Sequence, residues 1–327
     1  MSIRSFLRLT AHIQLLPVLE SGEETLVGGQ AVMEGVMMRA PHSWCVAVRK
    51  PDGSIVTQES ELPRVSEKYP IFKLPILRGL GTLGQAMWLG LKALKFSANA
   101  ALAEEQAKRN SAKKEAPAWL MGVNIAFSVV FFLFLYKFVP LLLATELGHA
   151  VPAFNGRLTI NLVDGVLRIA IFLGFLFLIS RMKDIARVFE YHGAEHKVVF
   201  NFESGKPVNV ENAQTFVTWH PRCGTSFLLV VMVLAMLVYA WLPFDSFAWK
   251  LIGRIALLPV IAGLSYELIR FAAKRRGGAM AALTAPGLWL QRITTKPPSD
   301  DQAAIAIHAL EGAMALEAAQ GGELVIA

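Results

Sequence analysis

Three of the seven histidines, His192, His196 and His220, fall within 29 residues of the chain. On a helix, the i,i+4 spacing of the first two places both imidazoles on one face, with Glu195 beside them. Two imidazoles can hold a divalent metal while a neighbouring carboxylate takes a proton from a water that the metal activates. The H-x-x-E-H pattern therefore predicts a metal site with His192 and His196 as ligands and Glu195 as general base.

A pair of histidines does not complete a metal site, so at least one further ligand must come from elsewhere. The nearest candidates in the sequence are Glu203, Glu211, His220 and Cys223. Three protein ligands and an open position would permit catalysis, whereas both histidines with His220 and Cys223 would form a closed structural zinc site. The alternative without a metal is a helix face whose histidines make hydrogen bonds.

A second polar group lies in residues 28–39, where Gln30, Glu34 and Arg39 are interspersed with glycines that permit unusual backbone angles. Taken alone, this run is typical of a turn and a strand. The residues by themselves assign it no chemistry.

The elements that must position these residues are mostly membrane helices. Apolar and aromatic residues make up 54% of the 327 residues, only 17% are charged, and the mean hydropathy is +0.46. Four runs are long enough to cross a hydrocarbon core of about 30 Å, and they cover residues 116–136, 158–180, 223–244 and 248–272. The predicted fold class is therefore mainly α, with a four-helix transmembrane bundle.

Charged and helix-breaking residues mark two of these runs. Asp164 and Arg168 interrupt the second run at i,i+4 spacing, where the two charges can pair. Pro259 lies inside the fourth run and predicts a kink there. Cys45 and Cys223 lie far apart in the sequence, so a disulfide framework is not expected.

The distribution of basic residues predicts the orientation in the membrane. Fifteen Lys and Arg residues precede the first run, two (Lys137 and Arg157) lie between the first and second, six lie in residues 181–222, none in 245–249, and six from residue 270 onward. The positive-inside rule therefore predicts a multi-pass protein of the cell membrane with both termini and the 181–222 loop in the cytoplasm. Because the 32 Lys and Arg residues are interleaved with apolar runs, no nucleic-acid partner is expected.

Outside the four runs, the chain divides into segments of different character. Residues 1–24 form an N-terminal segment, and 25–69 a small cytoplasmic β element with a hairpin that joins 44–48 to 54–57 through a Lys-Pro-Asp-Gly turn. Residues 70–117 suit an interfacial or re-entrant helix and a connector better than a fifth crossing. Residues 118–272 form the transmembrane region with its His/Cys loop, and 273–327 a cytoplasmic tail with apolar residues near helical spacing.

Several motifs together resemble the bacterial family of unknown function numbered 1385. They are Gly-Gly-Gln-Ala-Val-Met-Glu-Gly-Val-Met-Met-Arg at 28–39, Tyr-His-Gly-Ala-Glu-His-Lys at 191–197, His-Pro-Arg-Cys-Gly-Thr-Ser-Phe at 220–227 and Ala-Gly-Leu-Ser-Tyr-Glu at 262–267. The resemblance implies a membrane protein and a metal-dependent enzyme, but no particular reaction. The positions that match its motifs are Glu34, His192, Glu195, His196, His220, Cys223 and Glu267.

The sequence thus predicts a membrane-embedded, metal-dependent enzyme at the cytoplasmic face, with hydrolysis the favoured reaction. Glu195 and Glu34 are the expected catalytic residues, and the expected metal ligands are His192, His196, His220 and Cys223. The expected cofactor is a divalent metal, with zinc favoured, and the expected partner is membrane lipid. The alternative is a non-enzymatic scaffold or transport-associated protein with a structural or sensing metal site. The substrate is unknown, and homo-oligomerisation is left open.

Overall fold

The structure is a computed structural model and describes residues 27–63, 65–109, 118–220, 223–243, 246–274 and 278–319. The predicted N-terminal segment 1–24 lies outside these residues, as do residues 110–117 of the predicted connector. The described chain is mainly helical and carries a small antiparallel sheet near its N-terminus, which confirms the mainly α prediction and the presence of a β element in this region.

Four strands form an antiparallel meander in which spatial order follows chain order: β1 (Gly28–Val32), β2 (Gly35–Arg39), β3 (Ser43–Arg49) and β4 (Ile55–Glu61). The predicted hairpin joins β3 to β4, with Arg49 opposite Ile55. Gly53 lies in the turn of this hairpin and has a φ of 85°. This conformation favours glycine, because in any other residue the Cβ would be crowded by the residue's own backbone.

Twelve α-helices lie in the described residues, and in chain order they are α1 (Val65–Lys68), α2 (Leu77–Arg109), α3 (Ala118–Leu133), α4 (Val139–Ala150), α5 (Arg157–Ile179), α6 (Lys183–Glu203), α7 (Val210–Gln214), α8 (Gly224–Ala240), α9 (Phe247–Ala256), α10 (Leu258–Lys274), α11 (Gly278–Thr294) and α12 (Asp300–Ala319). A π-helical turn, Phe134–Phe138, joins α3 to α4.

The sheet lies between two helical layers. Because successive strand residues point to opposite faces, neighbouring residues join different cores. Met37 and Trp44 pack against α2, whereas Met38 and Cys45 pack in a core shared with α6 and α12. The C-terminal helix α12 therefore closes the sheet against the helix that carries the histidine pair.

Two helices of the described chain are long and apolar enough to cross a membrane, Ala126–Ala150 and Arg157–Ile179. A third crossing results if α9 and α10, which are bent by 48° at a short break, act as one span. The predicted third run is the helix α8, which has 17 residues. Two or three crossings are thus supported, and the four-helix bundle stays a prediction.

The first apolar helix extends beyond its predicted run, whereas the fourth run bends where it was predicted to bend. The first run was expected to end at residue 136, but the helical chain continues to Ala150, because Pro140 lies in the first turn of α4, where a missing N–H is tolerated. The kink predicted at Pro259 is present, since the break between α9 and α10 falls just before it.

Candidate metal centre

The helix α6 carries the histidine pair on one face. It begins at Lys183, after a turn that ends α5, and its first turn contains Asp184, which suits the positive end of a helix dipole. The rings of His192 and His196 lie one turn apart with centroids separated by 4.4 Å. The shared face that the i,i+4 spacing predicts is therefore present.

A backbone carbonyl orients each imidazole. Nδ1 of His192 lies 2.7 Å from the carbonyl oxygen of Thr294, and Nδ1 of His196 lies 2.5 Å from that of Thr218. A carbonyl oxygen only accepts, so each Nδ1 carries the hydrogen and each Nε2 keeps a lone pair. Burial lowers the pKa of His196, which keeps its ring in the neutral form that metals bind. Histidines that bind metals usually have this arrangement. The hydrogen bond made by the ring nitrogen that does not bind the metal fixes the tautomer and the orientation of the ring.

Cys223 completes a converging set of three candidate ligands. It is the N-cap residue of α8, and its Sγ lies 3.2 Å from Nε2 of His192. One ligand atom from each of His192, His196 and Cys223 lies within 4.8 Å of the others. Bonds of about 2.0–2.3 Å to a tetrahedral zinc would space the ligand atoms about 3.5 Å apart, so metal binding needs movements of about 1 Å.

Glu195, the predicted general base, lies against the ligand set, and its catalytic role stays a prediction. Its Oε2 is 3.4 Å from Nε2 of His196, and the residue is buried. Strand β1 covers it closely: a Cβ at Gly29 would lie only 2.7 Å from Cγ of Glu195 and 2.6 Å from a backbone oxygen of β2. A glycine at this position therefore lets the sheet enclose the carboxylate.

His220 packs beside the ligand set without joining it. Its ring centroid is 5.6 Å from that of His196, and its Nε2 is 3.4 Å from Oε2 of Glu203. Burial lowers the pKa of His220 to about 4, although the charge of Glu195 opposes the shift. Among the described residues, the converging set includes neither His220 nor the other two candidates, Glu203 and Glu211. The geometry thus favours three ligands over the closed set of four.

The segment that links α11 to α12 supplies a contact that the sequence analysis did not find. The amide of Lys296 donates to the carbonyl of Phe189 at 2.9 Å, which holds this segment along α6. A Cβ at Gly193 would lie 2.0 Å from the carbonyl oxygen of Lys296. Gly193 therefore permits the close approach that brings the Thr294 carbonyl to His192. The sequence did contain one signal of this contact, the glycine between the two histidines. Glycine is unfavourable inside a helix, so its presence there indicates a close packing contact.

Gln291 on α11 holds the loop before Cys223. Its side chain accepts from the amide of His220 and donates to the carbonyl of the same residue, both at 2.7 Å, and it donates to the hydroxyl of Ser226 at 2.9 Å. This buried amide fixes the loop relative to α8, because three of its hydrogen bonds are satisfied within the protein. The role of Gln291 becomes visible only in the folded chain.

Among the described residues, Glu34 is not part of the converging set. It occupies the β1–β2 turn with a φ of 54°, pairs with the guanidinium of Arg187 through both carboxylate oxygens and accepts from the Tyr191 hydroxyl at 3.2 Å. Arg187 precedes Glu195 by two helical turns, or about 12 Å along α6. The structure thus brings Glu34 to the surface that joins sheet and helix, and its catalytic role stays a prediction.

Comparison with known proteins supports the resemblance noted in the sequence. The model of the family described as "Protein of unknown function (DUF1385)" matches residues 74–316, a range that contains the three converging ligands and Glu195. The chain belongs to the DUF1385 family. The uncharacterized protein YqhQ of Bacillus subtilis (strain 168) is 36% identical over 303 residues, which cover 89% of this chain and 93% of that protein. No solved structure matches the chain.

Proposed function

We propose that this protein is a membrane-embedded hydrolase that uses a divalent metal, with zinc favoured, held by His192, His196 and Cys223. The observation that supports the proposal is the convergence of three ligand atoms within 4.8 Å, with both Nδ1 atoms already bonded to carbonyls. A set of two imidazoles and one thiolate suits zinc, because zinc binds nitrogen and sulfur ligands in tetrahedral geometry.

Each residue of the centre has a definite role in such a reaction. A divalent metal would polarise a substrate carbonyl or phosphoryl oxygen and lower the pKa of a water. Three protein ligands leave a fourth tetrahedral position for water or substrate. Glu195, beside His196, would accept a proton from the attacking water and return it to the leaving group. The carbonyls of Thr218 and Thr294 would hold the imidazoles in place throughout.

The proposed centre lies at the cytoplasmic face of a chain with four crossings and both termini inside. The bias of Lys and Arg toward alternate loops supports this orientation. Met87, Trp88 and Leu91 of α2 are exposed, and they suit a helix that lies in the membrane interface. A reporter that is active only outside the cytoplasm should be silent when fused at Ala327 and active when fused at Asn155, between α4 and α5. The opposite pattern would overturn the orientation.

Metal analysis of the purified full-length protein tests the ligand set. Wild type should carry one equivalent of metal, and the double variant His192→Ala, His196→Ala should carry none. The matched control is His308→Ala, because His308 is an exposed histidine on α12 and its loss should leave the metal content unchanged. Equal metal content in wild type and the double variant would refute the site.

A single substitution at Glu195 separates the enzyme from the non-enzymatic alternative. If Glu195 is the base, Glu195→Gln should keep the metal and lose hydrolysis of whichever compound in a panel of esters, amides and phosphoesters the wild type cleaves. If Glu195→Gln loses the metal instead, Glu195 is a fourth ligand and the centre is closed. That result would favour a scaffold or transport-associated protein with a structural metal.

A further inference from the structure

Four charged side chains lie buried together inside the helix bundle, apart from the metal centre. Arg168 and Asp164 on α5 pair at 2.7 Å, as their i,i+4 spacing predicts, and Arg254 of α9 lies 2.9 Å from the other carboxylate oxygen. Lys137, in the π-helical turn, donates to the hydroxyl of Tyr239 at 3.1 Å. Each of these charged residues is at most 5% exposed. About 16 Å of helix separates Arg168 from the end of α5 nearest to the metal centre.

The three cations surround a single aromatic ring. The Nζ of Lys137 and the guanidinium carbons of Arg168 and Arg254 lie 5.1, 5.4 and 5.3 Å from the ring centroid of Tyr239. Cation–π attraction offsets part of the repulsion among these cations. One carboxylate, that of Asp164, nevertheless faces three basic side chains. The cluster therefore holds an excess of positive charge in an apolar bundle, where an uncompensated charge is costly.

Some of the buried donors in this cluster are unused. Arg254 is fully buried, yet its Nε has no hydrogen-bond partner among the residues that the structure describes, and the same holds for Nη1 of Arg168, which is 3% exposed. Buried N–H groups are normally paired, because desolvation without a partner costs free energy. Unused guanidinium donors next to excess positive charge indicate a missing acceptor that is negatively charged.

The backbone around the cations is irregular, as it often is at ligand sites in membrane proteins. Pro140 has no amide hydrogen to donate to the carbonyl of Tyr136, four residues before it. Nε of Arg168 donates to that oxygen instead, at 3.1 Å. Arg254 lies just before the break between α9 and α10, and the Tyr239 hydroxyl donates to its carbonyl oxygen at 2.8 Å. Lys137 itself lies in the π-helical turn. Two helical segments, α3–α4 and α9–α10, are thus interrupted or bent where Lys137 and Arg254 meet the cluster, whereas α5 is continuous.

We propose that Lys137, Arg168 and Arg254 form a binding site for a phosphate group, carried either by a lipid headgroup or by a phosphate free in solution. The guanidinium fork matches phosphate geometry with two parallel hydrogen bonds, and an ammonium adds a compact positive charge. A phosphate has enough acceptor oxygens to satisfy both unused guanidinium donors, and its charge would balance the excess. This inference does not depend on the metal centre or on the proposed hydrolysis.

Thermal unfolding of the full-length protein in detergent tests the site. Inorganic phosphate should raise the unfolding temperature of wild type above that in sodium chloride of equal ionic strength if the ligand is free phosphate. Dioleoylphosphatidylglycerol added to the same detergent should raise it if the ligand is a lipid headgroup. The decisive variant is Lys137→Met, because Lys137 bonds to Tyr239 and its removal leaves the Asp164 ion pairs intact. Its half-saturating concentration for the stabilising probe should rise at least tenfold.

Two further variants keep the test informative if Lys137→Met folds poorly. Arg254→Gln should weaken the response to the same probe by a similar factor. Arg270→Gln removes an exposed arginine of α10 and should respond as wild type does. The proposal is overturned if neither probe stabilises wild type, or if Lys137→Met and Arg254→Gln respond to the probe as strongly as Arg270→Gln. In either case the three cations would serve only to pack the bundle.

Discussion

Gly193 provides a sharp test of the site geometry, because helix propensity and packing predict opposite signs for Gly193→Ala. Gly193 lies inside α6, where replacing glycine by alanine normally stabilises a helix by about 1 kcal/mol. The new Cβ would however lie 2.0 Å from the carbonyl oxygen of Lys296. A backbone oxygen cannot rotate away as the end of a side chain can, so the whole segment would have to move by more than 1 Å to reach van der Waals distance.

The packing cost should exceed the gain in helix propensity. Overpacking a close contact costs about 1–3 kcal/mol, and displacing the segment also weakens two hydrogen bonds, each worth about 1 kcal/mol. These are the bond from the Lys296 amide to Phe189 and the bond from His192 to Thr294. We expect Gly193→Ala to lower the free energy of unfolding by about 2 kcal/mol net. Metal affinity should fall about tenfold or more, since His192 loses its orienting carbonyl.

Chemical denaturation in detergent and metal competition measure the two effects. Gly84→Ala is the matched control, because Gly84 is an exposed position inside α2 with no atom within 4 Å of a new Cβ. This control should gain about 0.5–1 kcal/mol from helix propensity. If Gly193→Ala gains stability as Gly84→Ala does and keeps full metal affinity, the close approach of the 294–296 segment to α6 is refuted.

Three other outcomes follow from buried groups outside the centre. Asp164→Asn should cost about 3–5 kcal/mol in detergent unfolding, because it leaves Arg168 and Arg254 without their shared anion; a variant as stable as wild type would contradict the buried pairing. Burial alone would raise the pKa of Glu317, but hydrogen bonds from the β2–β3 turn outweigh it and lower the pKa below 4.5. The ionised carboxylate of Glu317 therefore stabilises the fold fully above pH 4.5, and this stabilisation is lost as the pH falls below that value. In a plot of unfolding free energy against pH, Glu317→Gln should flatten this acidic part. Burial, helped by a nearby carboxylate, raises the pKa of the Cys45 thiol to about 12, so a maleimide should label it only after unfolding.

The local features of the chain were predictable because they depend on residues close in sequence. Helical periodicity places His192 and His196 on one face, and long apolar runs indicate membrane helices. The hairpin between β3 and β4 follows from a turn of four residues, and the ion pair of Asp164 with Arg168 follows from i,i+4 spacing. In each case the interacting groups are at most one or two helical turns or one tight turn apart, so the pattern contains the geometry.

Tertiary packing decided which distant residues complete these features. Cys223 and His220 were equal candidates for the third ligand, and only the docking of α8 and the Gln291 hydrogen bonds place Cys223 in the set and His220 beside it. Glu34 could not be located from its own segment, because its partner Arg187 lies 153 positions away in the chain. Arg254 meets Asp164 from another helix, so its share in the buried cluster depends on how α9 packs against α5. Neighbouring residues restrict the angles of a helix or turn, but contacts between helices depend on side-chain packing across the whole fold, which no local pattern records.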